Sequence, residues 1–562
     1  MAGTQKANTL LDRVYHWEAT TPDDIWLTQP TGGGAVVDYT WKQALDETRR
    51  MAAHLRSLEL PPKSAIGLVS KNTAHWLMAD LAIWMAGHVS VPIYPTLTAE
   101  TVRQILAHSE AKILFVGKLD AWDTMKDGVP EGVRQIALPL APPNDFEKWE
   151  DLVAREKPIE GNPSRSPDDV ATLIYTSGST GTPKGVMLTF GAMAATPANF
   201  SLVLHFGRED RMLSYLPLAH AYERAVVEAG TFHAGFRVFF AESLDTFVAD
   251  LRRAHPTIFI SVPRLWLKFH QGVVAKVPAK KLDRMLSIPI VSYFVRRKVL
   301  KGLGLDAVRF AASGSAPIPA ELLDWYRRLG LELVEGYGMT ENFSYSHLAL
   351  PGQVRVGYVG SPCPGVESRI TEQGEVQVKS PGQMLGYYKQ PELTKEAFTD
   401  DGFLRTGDRG EVDELGRLKI TGRVKELFKT SKGKYVAPAP IENMLLTSQL
   451  LESACVTGSG LPQPHAVVTL SETARPERAT PEGRDRIAVE LTRHLEDINR
   501  QLDPHEALEL IAIAETNWQI DNGFLTPTMK IKRGVIEAAY NPYAERWYAQ
   551  GDKIIWESGA TA

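Results

Sequence analysis

Thirteen consecutive residues carry the densest chemistry in the chain: Leu173-Ile174-Tyr175-Thr176-Ser177-Gly178-Ser179-Thr180-Gly181-Thr182-Pro183-Lys184-Gly185. The apolar run from Val170 reads as a buried strand that breaks into a loop of small and hydroxylic residues closed by a lysine. Glycines let backbone amides approach an anion, hydroxyls add donors, and lysine adds a point charge, which together make a phosphate cradle. The standard nucleotide P-loop needs glycine directly before the lysine, and Pro183 stands there instead. Taken alone, a Gly/Ser/Thr run is also the composition of a surface linker, the lesser of the two readings.

Four further clusters carry chemistry. Glu335-Gly336-Tyr337-Gly338-Met339-Thr340-Glu341 offers an aromatic face, a hydroxyl and a carboxylate. A carboxylate near a phosphate cradle is most simply explained by Mg²⁺ between them. His220, within Leu216 to Arg224, follows a strand end, where open α/β sheets bind ligands, although a core or helix-capping histidine fits the local sequence equally. Asp408 follows Arg405-Thr406-Gly407 and could accept from ribose hydroxyls, and alone it is an ordinary turn aspartate. Lys530 falls on a short loop before a helix, where lysines are usually surface residues.

The elements around these clusters alternate. Ser64–Ser70, Val89–Tyr94 and Ala111–Val116 read as buried strands, and the pattern over Asp38–Pro62, His75–Gly87 and Thr98–His108 is helical. Residues 118–168 read as an irregular connection. Further strands are expected over Met212–Leu216, Thr257–Val262, Ala307–Ala312 and Leu331–Val334, with a tight turn at Ser313–Ala316 and a helix from Pro319 to Gly330. The alternation predicts an α/β fold: a large N-terminal domain of helix-covered parallel sheets with a small β subdomain from Gly352 onward. A small mobile C-terminal α+β domain follows, with 1–424 and 425–562 as the two parts. In the latter, Ile441–Leu446 and Arg484–Gln501 read as helices, Ala507–Ala514 as a strand and 471–484 as an exposed loop.

A chain of 562 residues exceeds a single core. Its 44% hydrophobic and 23% charged residues are those of a globular protein, and a net charge of −5 gives no general case for nucleic acid. Two cysteines, Cys363 and Cys455, exclude a disulfide framework. No apolar run reaches the roughly 18 to 20 residues of a transmembrane helix. A cytoplasmic protein, monomer or homodimer, is the expectation. One segment departs from the average: Arg264 to Lys301 holds ten Lys and Arg against the single acid Asp283, with Trp266, Phe269, Tyr293 and Phe294 interleaved. That mixture suits peripheral contact with the inner face of a membrane, or simply a solvated helical face.

Taken in order, these motifs resemble the adenylate-forming (AMP-binding) superfamily, most closely its long-chain-type fatty acyl-CoA synthetases. The similarity rests on the Pro183-Lys184-Gly185 ending of the first loop, His220-x-x-Glu223-Arg224, Val262-Pro263-Arg264, Glu335 to Glu341, Thr406-Gly407-Asp408 with Gly422-Arg423, and Leu525 to Arg533. It spans about residues 30 to 550. Phe190 departs from it, since many members carry histidine there, and a tuning effect rather than lost activity is expected.

The resemblance implies a two-step ligase. MgATP and a medium- or long-chain fatty acid give acyl-AMP and pyrophosphate, and coenzyme A then displaces AMP. It assigns Thr176, Ser177, Gly178, Ser179, Thr180, Gly181 and Lys184 to the β/γ-phosphates, and Thr176 and Glu341 to Mg²⁺. Tyr337 stacks on adenine beside Gly314, Ser315 and Ala316, within the nucleotide loop that also holds Glu335, Gly336 and Gly338. Thr340 reaches the α-phosphate, Asp408 the ribose and Arg423 the nucleotide. His220 lines the acyl carboxylate's entrance, Lys425 marks the hinge at the nucleotide, and Lys530 bridges carboxylate and α-phosphate in the first step. Another carboxylic acid (an aryl acid), a carrier-protein acceptor and a binding-only protein are the rival readings.

Overall fold

The computed structural model describes residues 9–177, 183–526 and 529–557 of the chain, without the side chain of Ser177. It divides into two compact units. The first comprises the chain up to Ala316 with Ala320–Arg369 and Gln377–Arg405, and the second Pro317–Pro319, Ile370–Val376 and everything from Thr406.

The first unit holds three sheets, each with a parallel centre and an antiparallel edge. The largest has eight strands. At its centre lie Ala65–Val69, Val89–Ile93 and Ile113–Val116, mutually parallel and buried at every position. Continuous burial is what strands covered on both faces require, and it explains why Val, Ile and Leu dominate them. The helix Ala74–Ala86 is largely apolar on every face and buried along its length, as a core helix should be, with Asp80 its one buried charge. The strand Val170–Ser177 joins this sheet beside Val89–Ile93 and returns as Pro183–Thr189, its antiparallel partner. The second sheet contains the parallel strands Ile258–Ser261, Phe310–Ser313 and Leu333–Tyr337, and the third the parallel strands Arg211–Ser214 and Arg237–Phe240. Glu367–Ile370, Glu375–Lys379, Leu404–Val412 and Leu418–Arg423 supply the small β sheet.

In the second unit, Leu451–Thr457, His465–Leu470, Ile511–Ile513 and Ile554–Trp556 form one sheet. Its side chains alternate between two cores with the period of two that a pleated strand imposes. Ala454, Val456, Ala466, Val468, Ile511 and Ile513 pack with Leu491 and Leu495 of the helix Pro481–Asn499. Cys455, Val467 and Ala512 pack on the other face with Ile536, Tyr540 and Trp547.

Several expectations change. Residues 118–168 are not irregular: Arg134–Ala137 and Glu147–Lys148 extend the eight-stranded sheet, and Trp149–Arg155 is a helix whose Trp149 is fully buried. Their charged residues lie at the half-exposed margin of the sheet, next to and on its edge strand Glu147–Lys148, where charge is tolerated. Asp38–Thr40 finishes the strand Ala35–Thr40, and the helix begins at Trp41 with Thr40 as its cap. The stretch 471–484 holds a short turn of helix, Arg475–Ala479, and the first turn of Pro481–Asn499, for which Pro481 is a favourable opening residue.

Candidate active site

The strands Val170–Ser177 and Pro183–Thr189 place Thr176 directly opposite Lys184. The stretch is therefore a β-hairpin rather than a strand feeding a helix. Gly178, Ser179, Thr180 and Gly181 lie outside the described residues. Gly185 leaves room for the Tyr175 ring: a Cβ there would sit 3.1 Å from its Cζ. The Tyr175 hydroxyl and His108 Nδ1 lie 2.7 Å apart, and burial holds the phenol well above its ordinary pKa.

Lys184 meets a residue that the sequence did not single out. The short strand Gly386–Tyr387 pairs with Met187 and Val186, so the Tyr387 ring comes under the Lys184 ammonium, 5.4 Å from Nζ to ring centroid. The Tyr387 hydroxyl donates to Glu341 Oε1 at 2.8 Å. One side chain thus links the cation of the hairpin to the carboxylate of the 335–341 loop. Burial first, and then the neighbouring Glu341 charge, raise the Tyr387 phenol's pKa, which keeps it a donor. No motif flags Tyr387, because its role comes from a two-residue strand pairing 200 residues back in sequence.

The 335–341 loop is tightly constrained. A Cβ on Gly338 would stand 2.5 Å from the Ser344 backbone, so glycine is required there. Phe343 and Ser344 both adopt left-handed backbone, with φ of 49° and 58°, and Asn342 Oδ1 accepts from Met339 N at 2.9 Å. These turns fold His347–Leu348 back against Gly336–Tyr337. Thr340 and Glu341 are half-buried in the turn, as is Tyr337, whose ring tilts against that of His347 at 6.1 Å. Ser313 pairs with Glu335, and Ser261 with Ser313, so the first two strands end level and the third runs two residues further, to Tyr337. Gly314 follows on that edge, and a Cβ there would meet the Tyr222 ring at 3.3 Å. Ser315, with φ of 71°, and Ala316 are exposed beyond it. A common carboxyl edge of parallel strands is where α/β folds bind ligands.

His220 caps the short helical turn Ala221–Glu223, its Nδ1 accepting from Tyr222 N at 3.1 Å, with the Tyr94 ring edge-on at 6.4 Å. It is half-buried. Two buried side chains fix its loop. Asn72 donates to Ser214 Oγ and the Leu216 carbonyl and accepts from Leu218 N, while Glu223 Oε1 accepts from Ser214 Oγ at 2.8 Å and Tyr215 N at 3.0 Å. Burial pushes the Glu223 carboxyl up to about 8. Arg224, wholly buried in a π-helical turn, pairs with Asp80 and Glu228 and donates to Thr172 Oγ1 at 2.6 Å on the strand that leads to Thr176. Such a buried triad survives only because its charges are paired. Phe190 lies in this core too, edge-on to Trp84 at 5.3 Å.

In the second unit Asp408 pairs with Arg423 across the hairpin, Arg423 Nε to Asp408 Oδ1 at 3.0 Å. Asp408 is buried and Arg423 exposed. Lys425 follows, exposed, in the helical turn Val424–Glu426. Lys530 has an exposed side chain on a loop closed by mutual bonds with Thr526, Thr526 N to Lys530 O at 2.7 Å and Lys530 N to Thr526 Oγ1 at 3.1 Å. Crowding of its ammonium by protein atoms, with Arg423 adding to the effect, lowers its pKa against the opposing pull of Asp408 and Glu426. The helix after it is anchored by Arg533, which donates to Glu442 at 2.6 Å and to the Val456 carbonyl at 2.8 Å.

Comparison with known proteins bears on both units. The AMP-binding enzyme profile matches residues 14–388, and that of the AMP-binding enzyme C-terminal domain residues 426–552. A long-chain-fatty-acid–CoA ligase of Mycobacterium tuberculosis is 32% identical over 94% of this chain and 96% of its own. The peroxisomal long chain acyl-CoA synthetase 6 of Arabidopsis thaliana is 31% identical over 96% of this chain and 85% of its own. Among solved structures, the adenylation domain of a carboxylate reductase from Mycobacterium chelonae superposes with a TM-score of 0.81 at 22% identity, over 97% and 92% of the two chains. An anthranilate CoA ligase in complex with anthranoyl-AMP gives 0.78 at 20% identity, over 96% and 98%. The solved structures share the fold, and the sequence matches decide the family: the chain belongs to the AMP-binding enzymes.

Proposed function

We propose that this protein is an AMP-forming acid–thiol ligase that joins a medium- or long-chain fatty acid to coenzyme A at the expense of ATP. The observation that carries the reading is the Lys184–Tyr387–Glu341 arrangement, in a chain whose relatives are named long-chain fatty acid–CoA ligases. A fatty carboxylate oxygen attacks the α-phosphorus, the bond to pyrophosphate breaks, and acyl-AMP forms. The deprotonated thiol of coenzyme A then attacks the acyl carbonyl and AMP departs with the bonding electrons.

Both steps bring anions together, so fixed cations and donors lower the barrier. Thr176, Lys184 and the Gly/Ser/Thr residues between them in sequence hold the β- and γ-phosphates. Tyr337 stacks on adenine beside Gly314–Ala316, Thr340 donates to the α-phosphate, Asp408 accepts from the ribose and Arg423 contacts the nucleotide. His220 lines the carboxylate's approach. The hydroxyl of Thr176 and the carboxylate of Glu341 are hard oxygen donors suited to Mg²⁺ carried in on the triphosphate. When bound, that ion neutralises charge on the bridging phosphate oxygens. Tyr387 keeps the carboxylate aimed by its one hydrogen bond. Lys530 bridges carboxylate and α-phosphate oxygens in the first step only. Residues from 425 onward turn about Lys425 between steps, so that the lysine leaves before the thiol attacks.

The test is pyrophosphate release from ATP with saturated fatty acids of graded chain length, with and without coenzyme A. A medium- or long-chain optimum with turnover dependent on coenzyme A is expected. Release that ignores coenzyme A would assign a different acceptor, and activity confined to aromatic acids would overturn the substrate class.

A further inference from the structure

The basic and aromatic segment 264–301 folds into three helices, Pro263–Lys276, Ala279–Ser287 and Pro289–Leu303, and these divide its aromatic residues into two sets. Trp266 and Phe269 turn inward, Trp266 packing edge-on to Phe259 and Tyr326 at 5.2 and 5.0 Å. Tyr293 and Phe294 turn outward, 60% and 65% exposed, with Ile290 at 76%. Ile290, Tyr293, Phe294, Arg297 and Lys301 follow the i, i+3, i+4, i+7, i+11 spacing of one helix face. That face is apolar in its first half and basic in its second. Singly exposed apolar residues are ordinary, but a contiguous cluster on one stripe marks a contact surface.

Charge identifies the partner. Lys280, Lys281, Arg296, Arg297, Lys298 and Lys301 are all exposed and form no ion pair among the described residues. The segment's single acid, Asp283, is already matched by Arg328 at 2.9 Å. This cationic island sits on a chain whose net charge is −5. We propose that the helices Ala279–Ser287 and Pro289–Leu303 dock on an anionic lipid bilayer, with Ile290, Tyr293 and Phe294 entering the interface and the flanking cations meeting headgroup phosphates. An interfacial helix needs this combination of large apolar side chains and a basic rim. The inference stands independently of the ligase reading.

The test is co-sedimentation of the full chain with vesicles of phosphatidylcholine alone or with added phosphatidylglycerol. Partition onto the anionic vesicles should fall by about five-fold for each cation removed, so Arg296→Gln with Arg297→Gln should lower it by about 25-fold. Phe294→Ser should lower it by roughly tenfold or more, and high salt should weaken wild-type binding. Both variants alter exposed residues, so melting temperature and pyrophosphate release should match the wild type and report intact folding. Equal binding to neutral and anionic vesicles would overturn the proposal, as would anionic binding untouched by both variants. Self-association abolished by Phe294→Ser, with vesicle binding unmoved, would assign the face to a second copy instead.

Discussion

The two units present their chemistry in opposite ways. In the first, the polar groups of the site grow out of the core: Tyr387 is tied to Glu341, Tyr175 to His108, and the His220 loop to Asn72 and Glu223. Even the strand reaching Thr176 is held by a buried arginine through Thr172. In the second unit Lys530 stands exposed on a loop, and the tight anchoring belongs to its neighbour Arg533. The pocket proposed for a polyanion has to be preorganised, and groups built into the interior meet that need. The one-step role proposed for Lys530 calls for a firm base, which Arg533 supplies, beneath a side chain held by no hydrogen bond of its own among the described residues. The contrast implies that damage to the first unit's site is felt in folding as well as rate, while damage at Lys530 is felt in the rate of one step alone.

The sharpest break of that contrast is Lys530→Ala. Pyrophosphate exchange should fall by roughly 10²- to 10³-fold, the scale of one lost electrostatic contact. Thioester formation from supplied acyl-adenylate, and the urea midpoint, should scarcely move. Equal loss in both half-reactions would remove the lysine's assigned role.

Glu223 tests the other side. Its folded carboxyl titrates at about 8 against an ordinary 4.5, so between these values the folded state keeps a proton that the unfolded chain has released. Stability must therefore fall as pH rises through that window, and level off below and above it. At about 1.4 kcal/mol per pH unit, the wild type should lose about 2 kcal/mol between pH 5.5 and 7 relative to Glu223→Gln. Urea titrations at several pH values measure this, and parallel curves for the two proteins would refute it.

Tyr387→Phe should have the smallest effect. It keeps the ring beneath Lys184 and deletes only the hydrogen bond to Glu341, worth roughly 1.5 kcal/mol for a bond to a charged group. Adenylation should drop by about tenfold, the Mg²⁺ concentration for half-activity should rise, and the melting temperature should fall slightly as the buried bond is lost. An unaltered Mg²⁺ dependence would mean that Tyr387 does not orient the carboxylate.

Where the chain repeats a period, sequence and structure agree closely. The unbroken apolar runs at Ala65–Val69 and Ile113–Val116 are buried strands, and Ala74–Ala86 is a buried helix whose only charged residue, Asp80, is matched by buried Arg224. The outermost two strands on that side, Arg134–Ala137 and the edge strand Glu147–Lys148, are not legible in the sequence, since the margin of the sheet is half solvated and carries Arg and Glu. The site divides in the same way. Thr176, Lys184, His220 and Glu341 announce themselves by residue type and by position at strand ends. Tyr387 does not, because a tyrosine among ordinary neighbours gains its role only from the strand it pairs with.

The order of the glycine-rich loop, the His220 motif, the 335–341 loop, Asp408 and Lys530 settled the family and the kind of chemistry, because residue type and local spacing are properties of the linear chain. Tertiary structure alone decided three matters. It opposed Thr176 to Lys184 in a hairpin, made Tyr387 the link between Lys184 and Glu341, and separated inward Trp266 from outward Phe294 in one basic segment. Each depends on strand register or on which helix face meets the core, and both are set by packing against residues tens to hundreds of positions away.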